Sequence, residues 1–421
     1  MRATRLLAAA AALCLLAGSP ASAASGGPDG SFGRRGWVDA RFAEFDLGVG
    51  VTRTADGRTV VAGTGLSRRT PPYGFLARYL PNGRPDPSFG TRGLVRLTFP
   101  GGLLVVQLTQ LSDGRLLVAG SSLADRPGVV LARFLANGRP DPSFGTRGMT
   151  VTSIAGRLAM PYDVTTAPDG ATVLVGTAFV DNLRQVPFVK RLLPNGAPDP
   201  AFGTDGLVVP AFPAEAIATA VTMLPGGTVA VAGTTSTDTV ADVPFLVRFL
   251  PNGLQDPTFG SPAMTNLATF GIAALATTPE GLLVAAGVRY EGGVQGGPAR
   301  ATVVRFLPTG TLDLAFGSTG VATVVAGAES GFNAVAVLSQ GRIAAAGFAL
   351  GRTSDLLLAR LDALGRPDPA FGRNGVSVQG STARHEVPFD GAVAADGGTT
   401  VAGTYVAPRA LPHTFVARFL P

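Results

Sequence analysis

The chain of 421 residues holds 57 glycines and 33 prolines, about a fifth of the total, which excludes a bundle of long helices. Apolar residues make up 46% against 15% charged, enough to bury a sizeable core and unlike a solvated disordered polymer. The formal net charge of +6 is almost all arginine, Lys190 being the one lysine, and no basic run is interleaved with aromatics, so nucleic acid is not an expected partner.

Residues 1–24 read as a secretory signal peptide. Arg2 and Arg5 give the positive start, Leu6 to Leu16 the apolar stretch, and Ala21-Ser22-Ala23 the small residues a signal peptidase needs. The mature protein is therefore expected to be secreted, free or associated with the cell surface. That apolar stretch is too short to span a bilayer, no later one reaches the roughly 18 residues required, and no membrane span is expected. The single cysteine, Cys14, follows Leu13 rather than a small residue, which argues against a lipid attachment site. Removal of the segment leaves 32 basic and 28 acidic residues and neither disulfide nor thiolate metal site.

The rest of the chain repeats itself. The stretch Ala77 to Gly90, ARYLPNGRPDPSFG, returns at Ala132, Lys190, Val247, Val304 and Ala359. With an N-terminal copy, its phenylalanine falls at 32, 89, 144, 202, 259, 316 and 371, in steps of 55 to 58 residues, which makes seven units. Each unit holds an apolar run, a tight turn such as Asp113-Gly114, a second strand, a third strand ending in Ala-Arg-Phe, the Pro-Asp-Pro-Ser-Phe-Gly loop, and a short last strand. A second glycine follows the turn glycine by six residues, at 63, 120, 176, 233, 287, 347 and 403, and is expected where a neighbouring backbone comes close, as where blades crowd one another. The reading is all-β: residues 25–421 form a single seven-bladed β-propeller of four-stranded antiparallel blades.

The Ala-Arg-Phe-Leu, Pro-Asp-Pro-Ser-Phe-Gly and Asp-Gly-Arg-x-Leu-Val-Ala-Gly elements, recurring together and in order, resemble the delta-60 repeats of bacterial proteins. The resemblance implies a β-propeller and brings no catalytic motif with it. Unit five departs mildly, with Leu312-Asp313-Leu314-Ala315, and unit six has Leu361-Asp362-Ala363-Leu364.

The motif arginine precedes its phenylalanine by 11 residues, so Arg418 has no partner ahead of it, while Phe32 has no arginine behind it. This predicts that Trp37 to Phe42 is the outer strand of the last blade, beside Thr414 to Leu420, so that the two ends meet; the competing parse takes seven unsplit blades from Trp37. Each motif arginine also precedes an aspartate by eight residues, and Arg418 would pair with Asp29 across the seam. A pair present in every unit reads as structure, since a catalytic group is needed only once. One carboxylate per loop is too few for calcium, and the aspartates are expected to cap turns.

Function is sought where the units disagree. Connections after the second and the last strand vary, and both fall on one face. Candidate ligand-binding residues there are Tyr73, Tyr162, Asp181, Arg184, Arg289, Tyr290, Glu291 and Tyr405. The partner is expected to be an extracellular ligand, carbohydrate or peptide, or a protein bound by a monomeric scaffold. The alternative is a hydrolase or lyase at the mouth of the central channel, with His385 or His413 as acid–base group beside Glu386 or Glu44. It requires a histidine and a carboxylate to converge, although His385 and Glu386, adjacent in an extended segment, should point apart. No P-loop, dinucleotide fingerprint, nucleophile elbow or zincin helix is present, and no cofactor or metal is expected.

Overall fold

The hairpin glycines bend the chain as their sequence requires. Gly57, Gly114, Gly170 and Gly397 take φ of 79° to 87°, the left-handed region that a tight two-strand turn needs. The computed structural model describes residues 25–421 except 125–127, 181–183, 213, 238–239, 260–263, 265–266, 294–296, 381–383, 395 and 409. Blade one pairs Phe45–Arg53, Thr59–Leu66, Tyr73–Tyr79 and Leu94–Leu97 in chain order, all antiparallel. Blades two, three, five and six repeat that order. In blade four three strands are present among the described residues, Glu215–Met223, Val229–Thr237 and Val240–Phe249.

The first strand of each blade is innermost and packs against those of its two neighbours, and His385–Val393 of blade seven packs against Phe45–Arg53 to close the ring. Closure follows the split-blade expectation. Trp37–Ala40 pairs with His413–Phe419 in the register Trp37↔Ala417 to Ala40↔Thr414, completing a sheet with Thr399–Val406 and His385–Val393. Ahead of that strand, the Gly26 amide donates to Leu420 O at 3.1 Å, the Leu420 amide to Gly27 O at 2.9 Å, and the Asp29 amide to Arg418 O at 2.8 Å. The unsplit parse is thereby excluded, and Trp37–Ala40 covers the outer side of His413–Phe419, which would otherwise be a bare edge.

Between blades the repeated motif forms a lock. Its phenylalanines are buried, five of them completely. The arginine of the same unit sets its guanidinium carbon over the ring, 4.5 to 4.8 Å from the ring centre in six of the seven blades. Its Nε meets the aspartate eight residues on at 2.7 to 3.0 Å in every blade, including Arg418 to Asp29. In five blades its Nη1 reaches the next blade, as where Arg248 Nη1 donates to Pro308 O at 3.0 Å, while Nη2 often stays in its own loop, as where Arg133 Nη2 donates to Ser143 Oγ at 3.0 Å. The other aspartate oxygen accepts the amide two residues on, as Asp141 does from Ser143 at 3.0 Å, which is the expected turn cap. Burial alone would push the Asp141 carboxyl up, but the hydroxyl and amide of Ser143 and the Arg115 and Arg133 guanidinium groups outweigh it and hold it well below the carboxylate range.

The strand glycines have a different cause from the one expected. A side chain at Gly63, Gly176 or Gly233 would strike the carbonyl oxygen of Leu47, Met160 or Ile217 in the same blade's innermost strand. The crowding is internal to each blade and sits opposite a bulge.

Candidate functional site: channel wall and variable face

Every innermost strand carries one β-bulge at the same place, facing its strand glycine. The extra residue is Val49, Val106, Tyr162, Thr219, Ala273, Asn333 or Phe389 in blades one to seven, and all seven line a central cavity of about 530 Å³. The innermost strand is a sheet edge, so its inward amides and carbonyls need partners. Side chains of the wall supply several of them. Asp163, just after the bulge in blade three, accepts its neighbour's amide from Val164 at 2.8 Å and the Val221 amide of blade four at 2.9 Å. Asp390, at the same position in blade seven, accepts the Gly391 amide at 2.8 Å and the Val51 amide of blade one at 2.8 Å. Gln107 donates to Asp163 at 3.3 Å, Thr219 to Ile272 O at 2.6 Å, and Asn333 to Pro388 O at 2.7 Å.

Both aspartates are half-buried: the ring of blades encloses them, while the channel leaves each one face open. That enclosure pushes each carboxyl up to about 6 despite the amides it accepts, and the charge of Asp390 adds to the rise at Asp163. No arginine or lysine lies among the residues lining the cavity.

The two histidines do not converge. His413 sits in the third strand of blade seven, 6% exposed, with Nδ1 3.1 Å from Asp46 Oδ2. Asp46 also accepts from the amide and hydroxyl of Thr414 at 2.9 and 2.6 Å and from the Phe42 amide at 3.0 Å, so the group pins the seam between blades seven and one. His385 is exposed, and its Nδ1 accepts the Ser354 amide of blade six at 3.1 Å. Glu386 points the other way, fully buried, with Arg384 Nε at 2.6 Å. Arg384 in turn meets Asp39 at 2.8 Å and stacks on Tyr405. Glu44 is exposed and holds Arg68, accepting its amide at 3.1 Å.

Three tyrosines expected in variable loops lie elsewhere. Tyr73 and Tyr405 are strand residues, each 7% exposed. The Tyr73 hydroxyl donates to Phe42 O at 2.6 Å and Arg96 covers its ring, so the side chain can be buried with its polar end satisfied. Tyr162 is the bulge residue of blade three and faces the channel. Arg184 is exposed in its loop, while Asp181 and the signal segment fall outside the described residues. Arg289, Tyr290 and Glu291 do come together, lining a cavity of about 260 Å³ with Arg300, which meets Glu291 at 3.0 Å.

Sequence reasoning passed over Asp163 and Asp390. Their signal was a residue 13 positions before the strand glycine, where blades one, four, five and six hold Gly50, Ala220, Ala274 and Ala334. Among the described residues, no cluster of three or more His, Cys, Asp or Glu could hold a metal, and no helix is long and apolar enough to cross a membrane.

Four segments, 54–89, 111–144, 167–202 and 225–259, match the family model described as "Domain of unknown function (DUF5122) beta-propeller". Each runs from the inner hairpin turn of blades one to four to the motif phenylalanine. Over these four segments the chain is similar to DUF5122 β-propeller repeats. No curated protein matched its sequence. Among solved structures, an ulvan lyase of polysaccharide lyase family PL25 bound to -[GlcA(1-4)Rha3S]- is 11% identical over 88% of this chain and 94% of its own, with a TM-score of 0.50. A protein of unknown function from Dyadobacter fermentans is 14% identical over 92% and 100%, TM-score 0.46. An α-L-arabinanase of Penicillium chrysogenum complexed with arabinobiose is 15% identical over 85% and 98%, TM-score 0.45. At such identities the likeness concerns the fold alone.

Proposed function

We propose that this DUF5122-repeat propeller is a secreted, monomeric scaffold of the delta-60 kind that binds an extracellular carbohydrate or peptide through its variable face. One observation carries this reading over the enzymatic one. Each group an acid–base mechanism would need is engaged by a structural partner, His413 by Asp46, His385 by the blade-six backbone, Glu386 by Arg384 and Glu44 by Arg68, and the Tyr405 ring stands between Glu386 and His413 in the blade-seven sheet. The contact surface is assigned to blade five, where the half-buried Arg289 and the exposed Tyr290 flank a small cavity beside the Glu291–Arg300 pair. An aromatic face with flanking arginine suits sugar rings bearing acidic groups, or an acidic peptide.

The test is an array of acidic oligosaccharides and peptides probed with the wild-type chain and the Arg289→Ala/Tyr290→Ala variant. Saturable binding that falls at least tenfold in the variant is expected. Cleavage of a polysaccharide that is lost in His385→Ala would replace this reading with the hydrolase or lyase.

A further inference from the structure

The channel wall is unequal in one respect that the structural role of its polar groups does not explain. Two of the seven bulges carry an aromatic residue, Tyr162 in blade three and Phe389 in blade seven, and these same two blades place a carboxylate directly after it, Asp163 and Asp390. Three blades separate the pair one way round the ring and two the other, so the two aromatic–acid units stand on nearly opposite walls. Phe389 is 42% exposed inside the channel, although a bracing role for blade seven asks nothing of an uncovered phenyl ring.

We propose that the central channel is a binding site for an organic ammonium ion, a diamine or quaternary amine held between the Tyr162–Asp163 and Phe389–Asp390 walls. The chemistry matches on three counts. An ammonium group is attracted to the face of an aromatic ring and to a carboxylate, and both are offered twice in an enclosed space. No basic side chain lines the cavity to neutralise the two acids, so a cation supplies the missing charge. The cavity, about 530 Å³, lies within the range of small-ligand sites. A bare divalent metal fits less well, since both oxygens of each carboxylate already accept backbone amides and only two acids are present where calcium takes six to eight oxygen ligands. The site is distinct from the blade-five surface and stands or falls independently of it.

Titration couples to binding. Of the ionisable residues on the innermost strands, Asp46, Arg53, Tyr162, Asp163, Glu215, Glu329, His385, Glu386 and Asp390, three line the cavity: Tyr162, Asp163 and Asp390. Because enclosure raises both carboxyls, an ammonium guest must find them ionised and should lose affinity as pH falls through about 6.

The experiment is calorimetric titration of the full chain with putrescine, tetramethylammonium and calcium chloride at pH 7.5 and 5.0. Saturable binding of at least one amine at pH 7.5 is expected, weakened about tenfold or more at pH 5.0, in Asp163→Asn/Asp390→Asn and in Phe389→Ala. No saturable amine binding overturns the proposal, as does binding that none of the three changes affects. Calcium binding that the Asn pair abolishes and Phe389→Ala spares would make the channel a metal site instead. If the Asn pair fails to fold, Phe389→Ala, which leaves every backbone brace in place, and the acidic titration decide the matter.

Discussion

The lock near the rim and the wall of the channel are both built seven times, yet only one of them is uniform. At the lock, arginine, aspartate and phenylalanine recur with nearly constant geometry, from 2.7 to 3.0 Å at the ion pair. At the wall the backbone device recurs, a bulge in every innermost strand, while the residue it presents runs from Ala273 to Phe389. A repeated fold thus separates its two tasks: packing between blades is solved once and copied, and the surface around the axis is free to vary because a bulged residue projects into open space. The side chains most able to meet a ligand are those that differ from blade to blade, and the lock is where uniformity maintains the ring.

This contrast can be broken most sharply at the lock. Phe144→Ala, at a completely buried ring, should cost about 3–5 kcal/mol in urea unfolding, whereas Phe389→Ala on the channel wall should cost less than about 1 kcal/mol. Equal losses would show that the wall is as much a core as the lock.

Arg133→Ala should come next, at about 3 kcal/mol, because it removes the buried guanidinium from a nearly dry Asp141 and leaves only the more exposed Arg115 to pair with it. Arg418→Ala should cost less, about 2 kcal/mol, since Asp29 keeps 17% of its side chain in water and can recover solvation there. A seam variant with an unchanged melting temperature would show that closure depends on the strand pairing of Trp37–Ala40 and not on the ion pair.

Acidity separates the two regions by sign. Asp163 and Asp390 hold protons more tightly in the folded state, at about 6, than at the ordinary 3.8, so their contribution is complete below about pH 3.8 and is lost as pH rises through 6. Lock carboxylates run the other way. Asp256, lowered to about 2 first by the hydroxyl and amide of Thr258 and then by Arg248, and Asp141 contribute above pH 3.8 and lose that contribution as pH falls. Stability should therefore peak between about pH 4 and 5, with a decline toward pH 7 on the order of 1–3 kcal/mol per channel carboxylate. Asp163→Asn/Asp390→Asn should flatten that decline, and a profile unchanged by it would mean that channel water solvates the two acids. The smallest effect belongs to the surface: Glu291→Gln should move stability by about 0.5 kcal/mol or less, the Glu291 side chain being 52% exposed.

Much of the architecture was legible because it is local and repeated. Asp-Gly turns, the 11-residue step from arginine to phenylalanine, and the mismatch between Arg418 and Phe32 are properties of short segments, and they led to seven blades and to a split seam that the Trp37↔Ala417 pairing bears out. The candidate site was legible only in part. Arg289, Tyr290 and Glu291 share a cavity as neighbours in sequence would, but Tyr73 and Tyr405 were drawn into sheets and His413 was enclosed by Asp46, from a strand 367 residues away.

What the sequence alone determined was the count of blades, the turns and the place where the ring is joined, since each follows from spacing and backbone preference along the chain. Only the tertiary structure decided which side chains see the axis. That choice depends on a one-residue bulge, which shifts the alternation of faces within a strand, and on the ring that brings blade three opposite blade seven, and neither can be read from a blade by itself.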